Sequence, residues 1–299
     1  MFKKHRGITY LIVILALVFG TILKTEPPTT EAQDPATVDV AVEGLQLTFV
    51  DVGQGDAVFL RTIDGETWLF DGGEENMAEI ELLPFLDSQG VNELDYAVVS
   101  HYHADHIGGI LQLLESGRIK TLILPNYNPD NKSKTKLLKR AELSHTTVLE
   151  VSAGDMLETC DKDLKLSVLH PQKGGFSSEN ENSNSMVIRL DYFKTSVLLT
   201  GDLETDAEKE LIPQYDLEVD ILKVGHHGSS SSTGVKFLNA TDPTYGVISA
   251  GEGNQYGHPH YEVLENLEND DVRIYRTDTD GDITFILNEN GIGKISTER

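Results

Sequence analysis

From Leu45 onward, short apolar runs alternate with stretches in which apolar residues return every three or four positions, and each pattern predicts its own element. Leu45 to Val50, Ala57 to Leu60 and Thr67 to Phe70 read as strands. The turn-forming Gly53 to Asp56 and Asp64-Gly65 between them predict tight antiparallel connections. A helix is predicted over Ala78 to Ser88, and Tyr96 to Val99 reads as a buried strand. Helices follow over Ile107 to Leu114 and Ser133 to Leu143, with strands over Thr121 to Leu124, Thr147 to Val151 and Leu164 to Leu169. The second half keeps the rhythm. Strands are predicted over Met186 to Leu190, Ser196 to Thr200, Val219 to Val224 and Tyr245 to Ser249, and helices over Glu204 to Ile212 and Tyr261 to Leu267. Closing strands fall near Val272 and over Ile283 to Leu287. Apolar strands bracketed by amphipathic helices imply an α/β layered architecture.

Before Leu45 the pattern is different. Lys3, Lys4 and Arg6 precede an uncharged run from Ile8 to Leu23 that is apolar all round, whereas a core helix would keep a polar face. Residues 1–24 therefore read as a signal peptide or signal anchor; no small-x-small cleavage site follows at once. With the basic residues kept inside, everything after Lys24 is expected outside the cytoplasm, anchored to the cytoplasmic membrane through residues 8–23 or secreted. Residues 25–43, with Pro27, Pro28 and Pro35 and no apolar period, read as a flexible linker, and residues 44–299 as the folded domain.

A hydrophobic share of 39% in 299 residues supports a sizeable core. Acidic side chains outnumber basic ones 49 to 24, a formal net charge of -25. That balance excludes nucleic-acid binding by a global positive field, since phosphate affinity rests largely on Lys and Arg. A phosphate ligand would have to be drawn locally, by metal, helix ends or a few basic groups. Cys160 is the only cysteine, which excludes an intramolecular disulfide and a multi-cysteine zinc cage. No protein partner is inferable.

Directly after the strand Tyr96 to Val99 stands Ser100-His101-Tyr102-His103-Ala104-Asp105-His106-Ile107-Gly108-Gly109. Three imidazoles and a carboxylate at a strand-to-helix junction supply ligands suited to Zn, Mn or Fe. In an extended loop His101 and His103 project to one side, while Asp105 and His106 lie one turn further on and can face a second ion. One or two divalent cations, Zn or Mn, are therefore expected. Gly108 and Gly109 let the helix approach the sheet closely. Asp202 follows a strand in Thr200-Gly201-Asp202, where a carboxylate could bridge two cations. His226 and His227 end another strand and run into Gly228 and four serines, a backbone able to offer donors to an anion. Of that pair His226 is the expected metal ligand; His227, Gly228, Ser229 and Lys223 are expected to contact substrate.

The segment His101-x-His103-x-Asp105-His106 resembles the signature of the metallo-β-lactamase superfamily. Within it the chain is similar to the hydrolase domain of the ComEC family of competence proteins. The similarity runs through Phe49-Val50-Asp51-Val52-Gly53-Gln54-Gly55-Asp56-Ala57, Phe70-Asp71-Gly72-Gly73, Leu198-Leu199-Thr200-Gly201-Asp202, Ile221-Leu222-Lys223-Val224-Gly225-His226-His227-Gly228-Ser229 and Tyr256-Gly257-His258-Pro259-His260. One hydrophobic segment cannot form a multi-span channel, so a free-standing relative is expected.

This resemblance implies a four-layer αββα sandwich, here preceded by the N-terminal hydrophobic helix. It implies that His101, His103 and Asp202 hold one ion, that Asp105, His106 and Asp202 hold another, and that His226 or His258 completes a site. Asp105 would orient the attacking water. His258 would be a catalytic proton donor, with a ligand or phosphate-contact role as its alternative. Asp71 would orient a metal-binding imidazole. The implied substrate is a phosphodiester, single-stranded DNA foremost. Superfamily members with two full metal sites usually carry another histidine before the strand leading to the Gly-Asp; here Ser183-Asn184-Ser185 has none, and Asn184 is a weak substitute. Asp51 and Asp56 read as turn-formers, His170 as structural, His145 and Cys160 as packing or surface residues, and His260 as the start of a helix. Two other functions fit the same residues: a carbon-ester, thioester or lactam metallohydrolase, and a non-catalytic binding module of the cell envelope.

Overall fold

The computed structural model describes residues 44–129, 132–177 and 180–299; the N-terminal apolar segment and linker expected from the sequence lie outside them. Among the described residues no helix is long and apolar enough to cross a membrane. Strands β1 (Leu45–Phe49), β2 (Val58–Arg61) and β3 (Thr67–Phe70) form the antiparallel meander that their turn residues dictate. Helix α1 (Glu75–Met77) passes through a π-helical turn at Ala78–Leu82 into α2 (Leu83–Ser88). Next come β4 (Leu94–Val98), α3 (Ala104–Glu115), β5 (Ile119–Pro125), α4 (Ser133–Leu143) and β6 (Thr147–Val151).

The second half opens with β7 (Met156–Leu157), β8 (Leu164–His170), β9 (Val187–Tyr192) and β10 (Thr195–Leu199). It continues through α5 (Thr205–Leu211), β11 (Ile221–Lys223), α6 (Val235–Thr241), β12 (Tyr245–Ile248) and α7 (Tyr261–Asn269). It closes with β13 (Arg273–Arg276), α8 (Thr277–Asp280), β14 (Ile283–Asn288) and β15 (Gly291–Thr297). The sequence pattern did not anticipate α6, β7 or β15. Strand β15 carries two glycines and no buried residue, and is held at the sheet edge by pairing with β14.

Two mixed sheets result, ordered β15-β14-β1-β2-β3-β4-β5-β6 and β13-β12-β11-β10-β9-β8-β7. Side-chain alternation along the strands divides the core, because neighbouring residues of a strand face opposite sides. Trp68 and Phe70 of β3 join Val197 and Leu199 of β10 in a core that draws on both sheets. Leu69 instead packs with Leu82, Leu86 and Leu111 from the first-half helices. Leu198 packs with Leu211, Phe237 and Leu267 from the second-half helices. Strands β3 to β6 run parallel, as do β10 to β13. The loops leaving the carboxyl ends of β3, β4, β10 and β11 converge, the place where parallel sheets open a cleft for ligands.

Candidate metal centre

The donors come from both sheets. His103 is the N-cap of α3, in extended conformation, so Asp105 and His106 occupy the first turn of that helix. Its N-terminus lies against the chain that leaves β3: a Cβ on Gly108 would collide with the Glu75 amide nitrogen, and one on Gly109 with the Gly72 carbonyl oxygen. The close approach expected of these glycines is thus made to a loop backbone. It sets His106 Nδ1 2.9 Å from Asp71 Oδ2, while the other Asp71 oxygen accepts the Ser100 amide at 2.7 Å. Asp71 therefore ties the ends of β3 and β4 together and fixes the orientation of the His106 ring.

Asp202, fully buried after β10, is the point of convergence. Its Oδ2 lies 3.2 Å from His106 Nε2, 3.8 Å from His101 Nε2 and 3.7 Å from His226 Nε2, and its Oδ1 lies 3.6 Å from His227 Nε2. His227 Nε2 is also 3.3 Å from Asp105 Oδ2. His226 and His227 hold consecutive left-handed conformations, φ 48° and 55°. Non-glycine residues adopt that region at a cost of about 1–3 kcal/mol each, and such outliers gather at functional sites. Beneath His227, its Nδ1 reaches the Ser249 carbonyl at 3.0 Å and Asp56 Oδ1 at 3.3 Å. Asp56 in turn meets the buried Lys223 ammonium at 2.6 Å.

Burial opposes ionisation of Asp202, yet His106 and His227 hold its carboxyl well below the usual carboxylate range. Asp105 is likewise held low, burial being overcome by His106. Lys223 and then His227 outweigh burial to bring Asp56 to about 2. The imidazoles respond in the opposite sense. Despite burial, Asp202, Asp71 and Asp105 raise His106 well above its ordinary value, and Asp202 and Asp56 raise His227 to about 10. Burial, followed by the charge of His106, keeps His101 neutral. Asp56, Asp105 and Asp202 around one ammonium thus leave a deficit of positive charge that the two imidazoles fill with protons, while burial raises the fourth acid, Asp71.

A divalent cation fits that deficit. His101 Nε2, His106 Nε2, His227 Nε2 and Asp202 Oδ1 are buried and make no hydrogen bond, an arrangement costly in the absence of a ligand. Ligand atoms of Asp105, His106, Asp202 and His227 lie within 4.8 Å of one another, and those of His101, His103 and Asp202 form a second such group. Asp202 belongs to both. A third group, Asp56, Asp71 and His106, is already engaged through Lys223 and the Asp71–His106 hydrogen bond.

Several expectations are corrected. His227, not His226, completes the group around Asp105, because the left-handed turn carries His227 inward; the half-buried His226 keeps its Nε2 3.7 Å from Asp202 and turns its Nδ1 to Glu204 and Ser231, at 3.5 and 3.2 Å. Lys223 and His227 are each 1% exposed, which withdraws both from substrate contact. Gly228 is packed on Pro259. Ser229 donates its amide to the His226 carbonyl, and the amides of Ser230, Ser231 and Ser232 are bound to His260, Ser229 Oγ and the Ser229 carbonyl. The serine loop is therefore folded on itself, with these amides closed to an anion. Asn184 uses both side-chain atoms on the backbone of Phe176, Ser177 and Asn180, so it is not a ligand. His258, lowered to about 4 by burial and by His227 and His226, has a buried Nδ1 that makes no hydrogen bond. His170 is structural, bonding the Ser185 carbonyl, while Ser185 Oγ accepts the Asp202 amide. Asp56, read as a turn-former within a motif of the resemblance, is the buried partner of Lys223 and His227. A Gly-Asp turn and a buried acid look alike in one sequence, and the Lys223 that would betray the pairing lies in a distant motif.

The profile of the Metallo-beta-lactamase superfamily matches residues 50–145. The chain is 33% identical over 268 residues to ComE operon protein 3 of Bacillus subtilis (strain 168), covering 84% of this chain and 34% of that protein. It is 30% identical over 248 residues to Competence protein ComA of Neisseria gonorrhoeae, covering 82% and 33%. The chain thus spans about a third of the length of these relatives. Among solved structures, CmlA, a diiron beta-hydroxylase from Streptomyces venezuelae, superposes with a TM-score of 0.55 at 16% identity, over 82% of this chain and 54% of that one, which speaks to fold alone. With two mixed sheets and histidine and aspartate donors gathered where their strands end, the chain belongs to the metallo-β-lactamase superfamily, and within it is similar to ComEC-type competence proteins.

Proposed function

We propose that this chain is an extracytoplasmic, metal-dependent phosphodiesterase that cleaves DNA, single strands foremost, with Zn or Mn as its metal. The observation that carries the reading is the sharing of Asp202 between two donor groups, which suits paired cations flanking a phosphodiester. When bound, such cations supply Lewis acidity and hydroxide at neutral pH. His101, His103 and Asp202 would hold one, and Asp105, His106, Asp202 and His227 the other. Asp105 is the most open acid of the cluster, its side chain 26% exposed, and is held ionised; it is placed to accept a proton from a water entering the cleft. Asp71 and the Asp56–Lys223 pair fix the His106 and His227 rings from behind. The similarity to competence proteins supports DNA as the substrate class, and the basic N-terminus followed by an apolar run supports a location outside the cytoplasm, anchored or secreted.

The test is cleavage of end-labelled single-stranded and duplex DNA by the full chain with Mn or Zn, beside His103→Ala. Metal-dependent cleavage lost in the variant is expected. Bound metal without cleavage of either DNA would overturn the reading and move the assignment to thioester, lactone or β-lactam substrates.

A further inference from the structure

Beside the donor cluster stands an aromatic group that the proposed chemistry does not use. Tyr256 is 55% exposed, and its ring lies nearly parallel to His258, 5.6 Å between centroids and 23° between planes. His258 in turn lies 6.1 Å from His227 at 31°, so its ring touches both the exposed tyrosine and a buried donor. The loop carrying these rings is held from within. Asn254 Oδ1 accepts the Tyr256 and His258 amides at 3.1 and 3.0 Å, and Asn254 Nδ2 donates to the carbonyls of Gly251 and His258 at 2.9 and 2.6 Å. One side chain thus fixes the backbone on both sides of Tyr256.

We propose that Tyr256, backed by His258, is a stacking platform for the nucleobase next to the scissile phosphate, and that it selects unpaired strands. The inference rests on the phosphodiesterase reading and adds to it how the strand is gripped. Ring spacings of 5.6 and 6.1 Å keep Tyr256 within two ring-to-ring steps of His227, so a strand stacked on the tyrosine runs beside the donor cluster. Stacking needs no positive charge, which matters in a chain of net charge -25 whose serine-loop amides and Lys223 are already engaged. A base within a duplex has both faces covered and cannot dock on a side chain without leaving the stack.

The experiment measures binding of labelled oligothymidylate to the full chain by fluorescence anisotropy, for wild type, Tyr256→Ala and Tyr256→Phe, with an abasic strand of equal length and a duplex as probes. The alanine variant should bind oligothymidylate about tenfold more weakly, the scale of one lost base–aromatic contact. Phenylalanine should restore binding, and the abasic strand should not distinguish the three proteins. Equal oligothymidylate binding by wild type and the alanine variant, or an equal loss on the abasic strand, overturns the platform. Cleavage by the wild type in the same preparations separates the two proposals: a strand that is cut but indifferent to Tyr256 removes the platform alone, whereas metal-loaded protein that cuts no strand removes the phosphodiesterase reading.

Discussion

The loops that follow β4 and β11 both deliver histidines to Asp202, and they do so by opposite means. After β4 the chain bends at Ser100 and His101 and enters α3 through the extended His103, and the grouping still follows the spacing: His101 and His103 share one donor group, and Asp105 and His106 share the other. After β11 the backbone reverses through two left-handed residues, and neighbours that alternate in a strand no longer do so. The first loop takes its shape from regular elements and a glycine contact. The second takes it from tertiary bonds: the Asp56–Lys223 pair beneath it and the carboxylate of Glu208, which accepts the Thr233 and Gly234 amides behind it.

The most severe break in this comparison is at the residue both loops share. Asp202→Asn should lower metal-supported hydrolysis by at least the roughly 10³-fold that loss of one transition-state electrostatic group costs, and metal analysis should show fewer ions per chain. Adjacent substitutions in the second loop should then separate. His227→Ala should weaken metal binding by more than the roughly 10–100-fold typical of a lost supporting partner, whereas His226→Ala should retain the metal; equal losses in a metal titration would put both rings in the cluster.

What was legible in the sequence follows the same division. Strands and helices with strong periodicity were read to within a few residues, as at Thr67–Phe70, Ser133–Leu143 and Thr147–Val151. The donors Asp105, His106 and Asp202 were legible because each sits where a regular element begins or ends. His227 was not, since a left-handed turn leaves no mark in a His-His pair. The serine run looked like a chain of free donors, but a sequence does not show which amides are already bonded. Lys223 read as a phosphate contact because lysines are ordinarily solvated, and the charge that balances it when buried, Asp56, lies in the opposite half of the chain, with the Val224 and Gly201 carbonyls as further acceptors.

That burial gives a stability test of the second loop's foundation. Lys223→Met should cost about 3–5 kcal/mol in denaturant unfolding, since it strands a buried carboxylate, and adding Asp56→Leu should recover much of the loss. A K223M protein of unchanged stability would show that Asp56 is neutralised in some other way. The smallest expected effect concerns the back of the loop. Burial pushes Glu208 up to about 7 from its ordinary 4.5, against the pull of the two amides it accepts. Its folded value lies above its unfolded one, so its contribution is full below about 4.5 and declines as pH rises to about 7. Glu208→Gln should flatten the stability profile over that interval, and an unaltered slope would assign it to other groups.

Because each sheet brings only part of the donor set, neither half of the chain can form the cation site before the two have met. Metal affinity and sheet docking are thereby linked equilibria: a cation at a hundred times its Kd adds about 2.7 kcal/mol to the assembled state and nothing to the separated halves. Folding of the domain is then sensitive to the metal content of its surroundings, and chelation should loosen the seam between the sheets before it unravels either one.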